Sequence, residues 1–123
     1  MFEASIRAQF SAAHHLVGYP GHCSVQHGHN WEVEVAVRGR KLDKTGLLVD
    51  FRELKKIVRE VLGEVDHSDL NTLAAFRKRN PSSENIARFL YRQLSRRLNT
   101  RHCKMSFVGV RETPESRAKY WEE

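Results

Sequence analysis

The sequence has few cysteines and no long apolar run. Only two of its 123 residues are cysteine, Cys23 and Cys103, which is too few for the disulfide framework of a small secreted domain. No segment is apolar over the roughly 20 residues that a membrane-spanning helix needs, and residues 1–3 do not begin a signal peptide. Internal repeats and low-complexity tracts are also missing. We therefore expect a single cytoplasmic domain, 1–123, with no membrane partner.

Positive charge is in moderate excess. The chain has 21 lysines and arginines against 15 aspartates and glutamates, for a net charge of +6. Such a balance can favour nucleic acid, an anionic surface or a multiply charged small substrate. The basic residues are spread along the chain, however, and no basic run is interleaved with aromatic residues as in single-strand binding platforms. We expect no nucleic-acid partner.

Residues 2–14 alternate between apolar and polar side chains. The even positions are apolar from Phe2 to Ala12, and this face ends in His14. The odd positions are polar over most of the same run. Period-two alternation over such a length predicts a β-strand with one buried face.

The stretch Cys23–His29 places a thiol and two imidazoles within seven residues, just before the strand-like segment 31–37. Because successive side chains of a strand point to opposite faces, His27 and His29 share the apolar face of that segment. Pairing the two strands would bring His14 beside them. Three nitrogens with an open fourth position are typical of a catalytic zinc site. The alternative is a group of histidines satisfied by hydrogen bonds near a sheet end.

Two amphipathic helices are predicted. Asp50 and Glu53 have the capping-box pattern, and apolar residues follow at helical spacing over 51–62. The second helix follows Pro81 and the serines after it, and its apolar stripe extends to Leu98.

Two further strands are predicted, at 46–49 and at 104–112. Strands separated by a pair of helices favour an α+β domain, a four-stranded antiparallel sheet with two helices packed on one face. We expect apolar residues on the other face as well, and this would favour self-association.

Six motifs carry a resemblance to a known family over nearly the whole chain. In order they are Phe10-Ser11-Ala12-Ala13-His14, Cys23-x-x-x-His27-Gly28-His29, Gly46-x-x-x-Asp50-Phe51, Asp66-His67-x-x-Leu70-Asn71, Pro81-Ser82-Ser83-Glu84-Asn85 and Glu112-Thr113. The chain resembles the 6-pyruvoyltetrahydropterin synthase family. The three-residue gap between Cys23 and His27 is similar to its 6-carboxytetrahydropterin synthase branch, which serves queuosine biosynthesis.

The resemblance implies the tunnelling fold. In that fold, the sheets of three subunits join edge to edge into a barrel, and two trimers stack into a homohexamer with active sites between subunits. It also implies that His14, His27 and His29 hold Zn²⁺. The matching cysteine, Cys23, abstracts a proton from the pterin side chain in the family. A fourth zinc ligand or an inert thiol are the other roles that its sequence position allows, and Cys103 is expected to be a small hydrophobe.

The resemblance also assigns two pairs of residues. Asp66 orients His67, which shuttles a proton at a side-chain hydroxyl, although an ordinary turn with a solvated histidine is the alternative. Glu112, assisted by Thr113, binds the amino-pyrimidine edge of the pterin. Without the resemblance, Glu112 would be interpreted as a solvated carboxylate at the end of a strand.

Together these features predict a zinc-dependent lyase acting on a pterin triphosphate. It would convert 7,8-dihydroneopterin triphosphate to 6-carboxy-5,6,7,8-tetrahydropterin with release of acetaldehyde and triphosphate. One alternative is a 6-pyruvoyltetrahydropterin synthase, which keeps the side chain. A remote alternative is a basic zinc-binding module for nucleic acid. Three histidines receive no role: His15, His22 and His102.

Overall fold

The computed structural model describes residues 1–21 and 24–123. The described elements in chain order are β1 (Phe2–His14), β2 (His27–Gly39), α1 (Phe51–Leu62), β3 (Ser68–Asp69), α2 (Ser83–Leu98), β4 (Lys104–Thr113) and β5 (Ser116–Tyr120). Two short 3₁₀ turns, Leu70–Thr72 and Ala74–Phe76, connect β3 to α2. No helix in these described ranges is long and apolar enough to cross a membrane.

The strands form one sheet in the order β3-β1-β2-β4-β5. β1 and β2 are antiparallel along their whole lengths, with Phe2 opposite Gly39 and His14 opposite His27. β2 also pairs antiparallel with β4, so β2 lies at the centre of the sheet. This register fixes which side chains meet at each end of the sheet.

The core lies between one face of the sheet and the two helices. Trp31 and Val35 of β2 are fully buried, as are Leu54 of α1 and Leu90 of α2. α1 contacts β1, and α2 contacts β4 and β5. Burial of the apolar face of each element against the others is the main force that holds these layers together.

The prediction of an α+β domain with two helices is confirmed, but the sheet has five strands rather than four. It is also not wholly antiparallel, because the two-residue β3 pairs parallel with β1. β5 is not predicted from the sequence, because its residues Ser116–Tyr120 are mostly polar and carry no apolar alternation. An edge strand needs little apolar character when one side faces water.

The strand predicted at 46–49 is wrong. The carboxylate of Asp43 accepts hydrogen bonds from the backbone N–H groups of Thr45 (2.8 Å) and Leu47 (3.0 Å). Gly46 adopts a left-handed φ of 86° within this turn. The side chain of Asp43 thus satisfies backbone donors that a sheet would otherwise pair, and the segment remains a loop.

Both helix predictions are confirmed. α1 spans Phe51–Leu62, and the carboxylate of Asp50 accepts the backbone N–H of Arg52 at 2.8 Å. α2 begins two residues after Pro81, where the hydroxyl of Ser82 accepts the backbone N–H of Asn85 at 3.1 Å. These caps satisfy donors that the first turn of a helix leaves unpaired.

The face of the sheet away from the helices is more polar than predicted. It carries Ser5, Arg7 and Gln9 of β1, which are exposed, and Glu34 of β2, which is half-buried. Phe107 is the large apolar side chain on this face, and the ammonium of Lys119 covers its ring at 4.0 Å. This face is therefore suited to contact with water, and self-association has to be argued from the sheet edges instead.

Candidate functional site

Three histidines meet at one end of the sheet. The β1–β2 register places His14 opposite His27, and His29 lies opposite Ala12 two positions further along. All three project from the apolar face, where the rings of His14 and His27 are 4.6 Å apart between centroids. His14 is buried, and the other two are half-buried. The structure therefore confirms that these residues come together.

The carboxylate of Glu112 completes the cluster. β4 brings it to the same end of the sheet, because Val110 pairs with Val33 and the next residue on that face is Glu112. Its Oε1 lies 2.7 Å from Nε2 of His29. The distances from Oε1 to Nε2 of His14 and His27 are 3.2 and 3.7 Å. One ligand atom from each of the four residues lies within 4.8 Å of the others, which is close enough to surround a metal ion.

Two backbone carbonyls fix the orientation of two imidazoles. Nδ1 of His14 lies 2.8 Å from the carbonyl oxygen of Pro81, and Nδ1 of His27 lies 2.6 Å from that of Val25. A carbonyl oxygen can only accept, so each Nδ1 donates its proton there. In the neutral ring this leaves the lone pair on Nε2, which faces the cluster. The same arrangement orients histidine ligands around metals in proteins.

His29 supplies a further sign that the cluster fits a cation. Its Nε2 is buried and has no hydrogen-bond partner of proper geometry among the described residues, although a Glu112 oxygen lies nearby. Burial lowers the pKa of His29, and the opposing pull of the Glu112 carboxylate does not compensate. A neutral imidazole with an unused lone pair is the form that binds a metal. The cluster therefore could hold a metal ion.

The participation of Glu112 in this cluster was not predicted from the sequence. The resemblance implied a role of Glu112 in substrate binding, and a solvated strand end was the alternative. The missing information was the register between β2 and β4, which sets the end of the sheet that Glu112 reaches. The register between strands that are distant along the chain cannot be read from alternation alone.

Asp66 and His67 form a second polar group beside β1. Oδ2 of Asp66 lies 3.1 Å from Nδ1 of His67. The pair is attached to the strand through Ser11, whose backbone N–H donates to Asp66 Oδ1 at 2.9 Å and whose carbonyl accepts the N–H of His67 at 2.6 Å. The Ser11 hydrogen bond is the main reason why the pKa of Asp66 is lowered, with the His67 charge adding to it. The carboxylate therefore remains ionised and orients the imidazole.

The backbone of His67 is strained. Its φ of 55° is in the left-handed region, where a residue with a Cβ is disfavoured. Such a conformation costs on the order of 1–3 kcal/mol and is found preferentially at functional positions. The His67 side chain is largely exposed, and it borders the same open pocket as His29, Asn30 and Ser11. Of the cluster residues, His29 is the one that lines this pocket.

The remaining candidate residues lie as follows. Cys23 and His22 are outside the described residues. Thr113 is exposed at the end of β4 and pairs with Ser116 of β5. Nδ1 of His15 is engaged by Oε1 of Gln26 at 2.8 Å.

The environment of Cys103 agrees with the expectation of a small hydrophobic side chain. It is partly buried against the core, and burial raises the pKa of its thiol. A raised thiol pKa disfavours the reactive thiolate. This environment is that of a structural cysteine.

Comparisons with known proteins agree with the motifs. The family model described as 6-pyruvoyl tetrahydropterin synthase matches residues 3–123. A putative 6-carboxy-5,6,7,8-tetrahydropterin synthase of Archaeoglobus fulgidus is 39% identical over 104 residues, which are 82% of this chain and 84% of that protein. The 6-carboxy-5,6,7,8-tetrahydropterin synthase of Bacillus subtilis is 36% identical over 126 residues, covering 97% of this chain and 84% of that protein.

A solved structure has the same fold. The 6-pyruvoyl tetrahydropterin synthase of Caenorhabditis elegans superimposes with a TM-score of 0.89 at 27% identity, over 99% of this chain and 96% of that one. The subunit fold expected from the resemblance is thus confirmed, with the fifth strand as the correction. From its sequence and its fold, this chain belongs to the 6-pyruvoyl tetrahydropterin synthase family of enzymes.

Proposed function

We propose that this protein converts 7,8-dihydroneopterin triphosphate and one water to 6-carboxy-5,6,7,8-tetrahydropterin, acetaldehyde and triphosphate. The observation that carries the proposal is the cluster of three histidines and a carboxylate at one end of the sheet, in a chain that also holds an oriented Asp66–His67 pair. The names of the relatives in Archaeoglobus fulgidus and Bacillus subtilis support the carboxy product over the pyruvoyl one. The motif spacing favours the same branch, and with it a role in queuosine biosynthesis.

The metal that we propose for the cluster is Zn²⁺, held by His14, His27 and His29. Imidazole nitrogens suit zinc, and three protein nitrogens leave a coordination position for substrate. The buried Nε2 of His29 and the fixed tautomers of the other two rings support this ligand set. Bound there, the ion supplies a Lewis acid that polarises the oxygens of the substrate side chain.

Glu112 is proposed to bind the amino-pyrimidine edge of the pterin. An ionised carboxylate can accept two parallel N–H donors, which is the pattern that this edge presents. The carboxylate lies at the border of the ligand set, so a pterin held by it would place its side chain next to the metal site. Thr113, the next residue, is exposed and is proposed to assist.

Two groups are proposed to move protons. Cys23 removes a proton adjacent to the pterin ring, a role that rests on the resemblance. His67, oriented by Asp66 through the 3.1 Å contact, transfers a proton at a side-chain hydroxyl during the carbon–carbon cleavage. The left-handed backbone at His67 supports this role, because strained conformations are found preferentially at functional positions. Two hydrogen bonds, one between Ser11 and Asp66 and one between Ser11 and His67, hold the segment in this conformation.

Product analysis tests the reaction. The purified, zinc-loaded protein is incubated with 7,8-dihydroneopterin triphosphate, and the products are identified by mass. Acetaldehyde together with 6-carboxy-5,6,7,8-tetrahydropterin is the expected result. Triphosphate release with the three-carbon side chain retained would assign the pyruvoyl reaction instead, and an unchanged substrate would reject both.

Cys23→Ala tests the proton abstraction. The variant should keep its zinc and still bind the pterin, but lose turnover by roughly a hundredfold, the scale for removal of a positioned acid–base group. Cys103→Ala is the matched control and should turn over like the wild type. Near-normal turnover of Cys23→Ala would contradict the proposed role, and a clear loss of zinc would identify Cys23 as a ligand.

A further inference from the structure

A second pocket lies at the end of the sheet opposite to the histidine cluster. Its lining residues are Met1, Arg38, Gly39, Arg40, Lys41, Arg101, His102 and Lys104. We call it the basic pocket, because five of these side chains are lysine or arginine and none is acidic. They come from the end of β2 and from the loop that leads from α2 into β4.

The basic pocket is remote from the candidate active site of the same chain. β2 carries His29 near its start and ends at Gly39, ten residues later. A strand rises about 3.3 Å per residue, so the two sites are separated by roughly 30 Å. A ligand as small as a pterin triphosphate therefore cannot contact both sites of one chain.

The cations of the basic pocket have no acidic partner. Among the described residues, the arginines in ion pairs are Arg52, Arg92, Arg97 and Arg117, all outside the pocket. Glu3 lies opposite Arg38 in the sheet, but its carboxylate accepts a hydrogen bond from the hydroxyl of Ser106. Like charges held together repel one another, and this repulsion is relieved when an anion binds between them.

The backbone that carries these cations is held in place. A Cβ at Gly39 would overlap the carbonyl oxygen of His102 and would come within 2.7 Å of Cδ1 of Leu48, so the loop packs directly on the end of β2. The loop is closed by the N–H of Thr100, which donates to the carbonyl of Cys103 at 2.7 Å. The hydroxyl of Thr100 accepts the N–H of Cys103 at 3.0 Å. Arg101 and His102 therefore project from an ordered turn.

An apolar pocket adjoins the basic one and shares Lys41 and His102 with it. Its other lining residues are Leu42, Asp43, Leu47 and Leu48. Leu42 and Leu47 line the same pocket and are 41% and 43% exposed. The Asp43 carboxylate accepts hydrogen bonds from backbone donors of its own turn, and these keep it ionised at the edge of the combined surface, away from the lining of the basic pocket. The combined surface thus offers several cations next to exposed apolar side chains.

We propose that this surface binds a nucleotide. The oligophosphate would lie among Arg38, Arg40, Lys41, Arg101 and Lys104, since guanidinium groups bind phosphate oxygens in a bidentate manner. The planar base would cover Leu42 and Leu47. A free inorganic oligophosphate would use the cations without the leucines and should bind more weakly. A long nucleic acid would need a basic track with stacking aromatics, which the lining of this pocket does not have.

A second basic groove, beside α2, provides the matched control. It is lined by Arg79, Arg88, Arg92 and Arg96, among other residues. Arg92 approaches Glu122 at 3.5 Å, whereas Arg88 donates to the neutral side chain of Asn85 at 2.7 Å and keeps its charge. The proposal places the nucleotide in the basic pocket, so charge reversal in this groove controls for the effect of net charge alone.

The experiment measures ATP binding to the full-length protein by isothermal titration calorimetry. Arg40→Glu/Arg101→Glu should weaken ATP binding by about tenfold or more, because it replaces two phosphate contacts with repulsion. Arg88→Glu/Arg96→Glu makes the same change in net charge and should bind ATP like the wild type. Arg40→Gln/Arg101→Gln should give an intermediate loss, and circular dichroism checks that each variant is folded.

Several results would overturn the proposal. The first is that the wild type does not bind ATP at millimolar concentration. The second is that Arg40→Glu/Arg101→Glu and Arg88→Glu/Arg96→Glu lose ATP affinity equally. The third is that adenosine binds as tightly as ATP. Tripolyphosphate binding as tightly as ATP would show that the leucines play no part and would reduce the site to an anion site. A single-stranded oligonucleotide that bound more tightly than ATP, and that no longer bound to Arg40→Glu/Arg101→Glu, would show that the ligand is nucleic acid and not a nucleotide. Because none of these readouts uses turnover, they are independent of the proposed reaction.

Discussion

At the scale of single residues, the tautomers of the site histidines are fixed by backbone carbonyls. The carbonyls of Pro81 and Val25 each accept a hydrogen bond from Nδ1 of a histidine, which turns Nε2 of both rings toward the cluster. His14 is buried, and its Nε2 lies 3.2 Å from the Glu112 carboxylate. The site is therefore arranged either for a metal or for a charge pair with Glu112, and removal of one ligand distinguishes the two.

His27→Ala should remove most of the bound zinc and the activity while the fold largely survives, because His27 is half-buried at a strand end rather than in the core. Zinc is measured by elemental analysis and folding by circular dichroism. His15→Ala is the matched control, since His15 lies next to a ligand but is hydrogen-bonded to Gln26. Stoichiometric zinc in His27→Ala would rule out the proposed ligand set.

Asp66 should contribute to stability in a pH-dependent manner. Its pKa is lowered in the folded state, chiefly by the Ser11 N–H, from an ordinary value of 3.8. A carboxyl group with a lowered folded pKa stabilises the protein above its unfolded pKa, and this contribution is lost as the pH falls through the folded value. Asp66→Asn should therefore be less stable than the wild type at neutral pH, and the difference should narrow below about pH 4.

Urea midpoints of both proteins between pH 3 and pH 7 measure this difference. Glu64→Gln removes an exposed carboxylate from the same loop and serves as the control. A constant difference between Asp66→Asn and the wild type over the whole range would show that the Asp66 carboxylate is not specifically stabilised by folding.

At the scale of secondary-structure elements, the start of α2 connects helix stability to the site. The Ser82 hydroxyl caps the helix by accepting the N–H of Asn85, and the residue before it supplies the carbonyl that holds His14. The side chain of Asn85 donates in turn to the carbonyl of Asn80 at 2.9 Å. The helix start thus holds the chain around Pro81 in the position where it contacts the ligand set.

Ser82→Ala should lower the free energy of unfolding by about 1 kcal/mol, the usual cost of losing an N-cap. It should also weaken zinc binding slightly, because the Pro81 carbonyl loses part of its support. Chemical denaturation and competition with a zinc chelator measure the two effects. Ser83→Ala, one residue into the helix, should change neither, and equal effects of the two substitutions would show that the cap does not matter.

At the scale of the whole molecule, the sheet has two edges that other chains can pair with. β3 covers β1 only at Ala12 and Ala13, so most of β1 is an open edge, and β5 forms the other edge. Open edges favour pairing with a further strand. The face away from the helices is polar, which suits the water-filled interior of a barrel closed by such pairing.

We therefore predict a homohexamer built from two trimeric barrels. Light scattering of the protein at micromolar concentration should give a mass six times that of the 14.3 kDa chain. If the active sites are shared between subunits, Cys23 and the Asp66–His67 pair of one site come from different chains. Dilution to the monomer should then abolish turnover. A fully active monomer would contradict this prediction.

The sequence by itself determined the two long strands, both helices and the histidine triad. These features are local, since alternation at residues 2–14 and helical spacing at 51–62 reflect burial of one face of one element. The ordered motifs added the family. Such signals do not require knowledge of how distant segments pair.

Only the tertiary structure decided the features that side-chain alternation and helical spacing do not show. Glu112 joins the histidines because of the β2–β4 register, and β5 exists because the chain after Thr113 turns back along β4. The turn formed by Asp43 replaced a strand that local propensity favoured. The basic pocket needed the contact between Gly39 and the loop at His102, which are 63 positions apart in the sequence. Local patterns specify each element, but register and loop packing are set by the free energy of the whole fold.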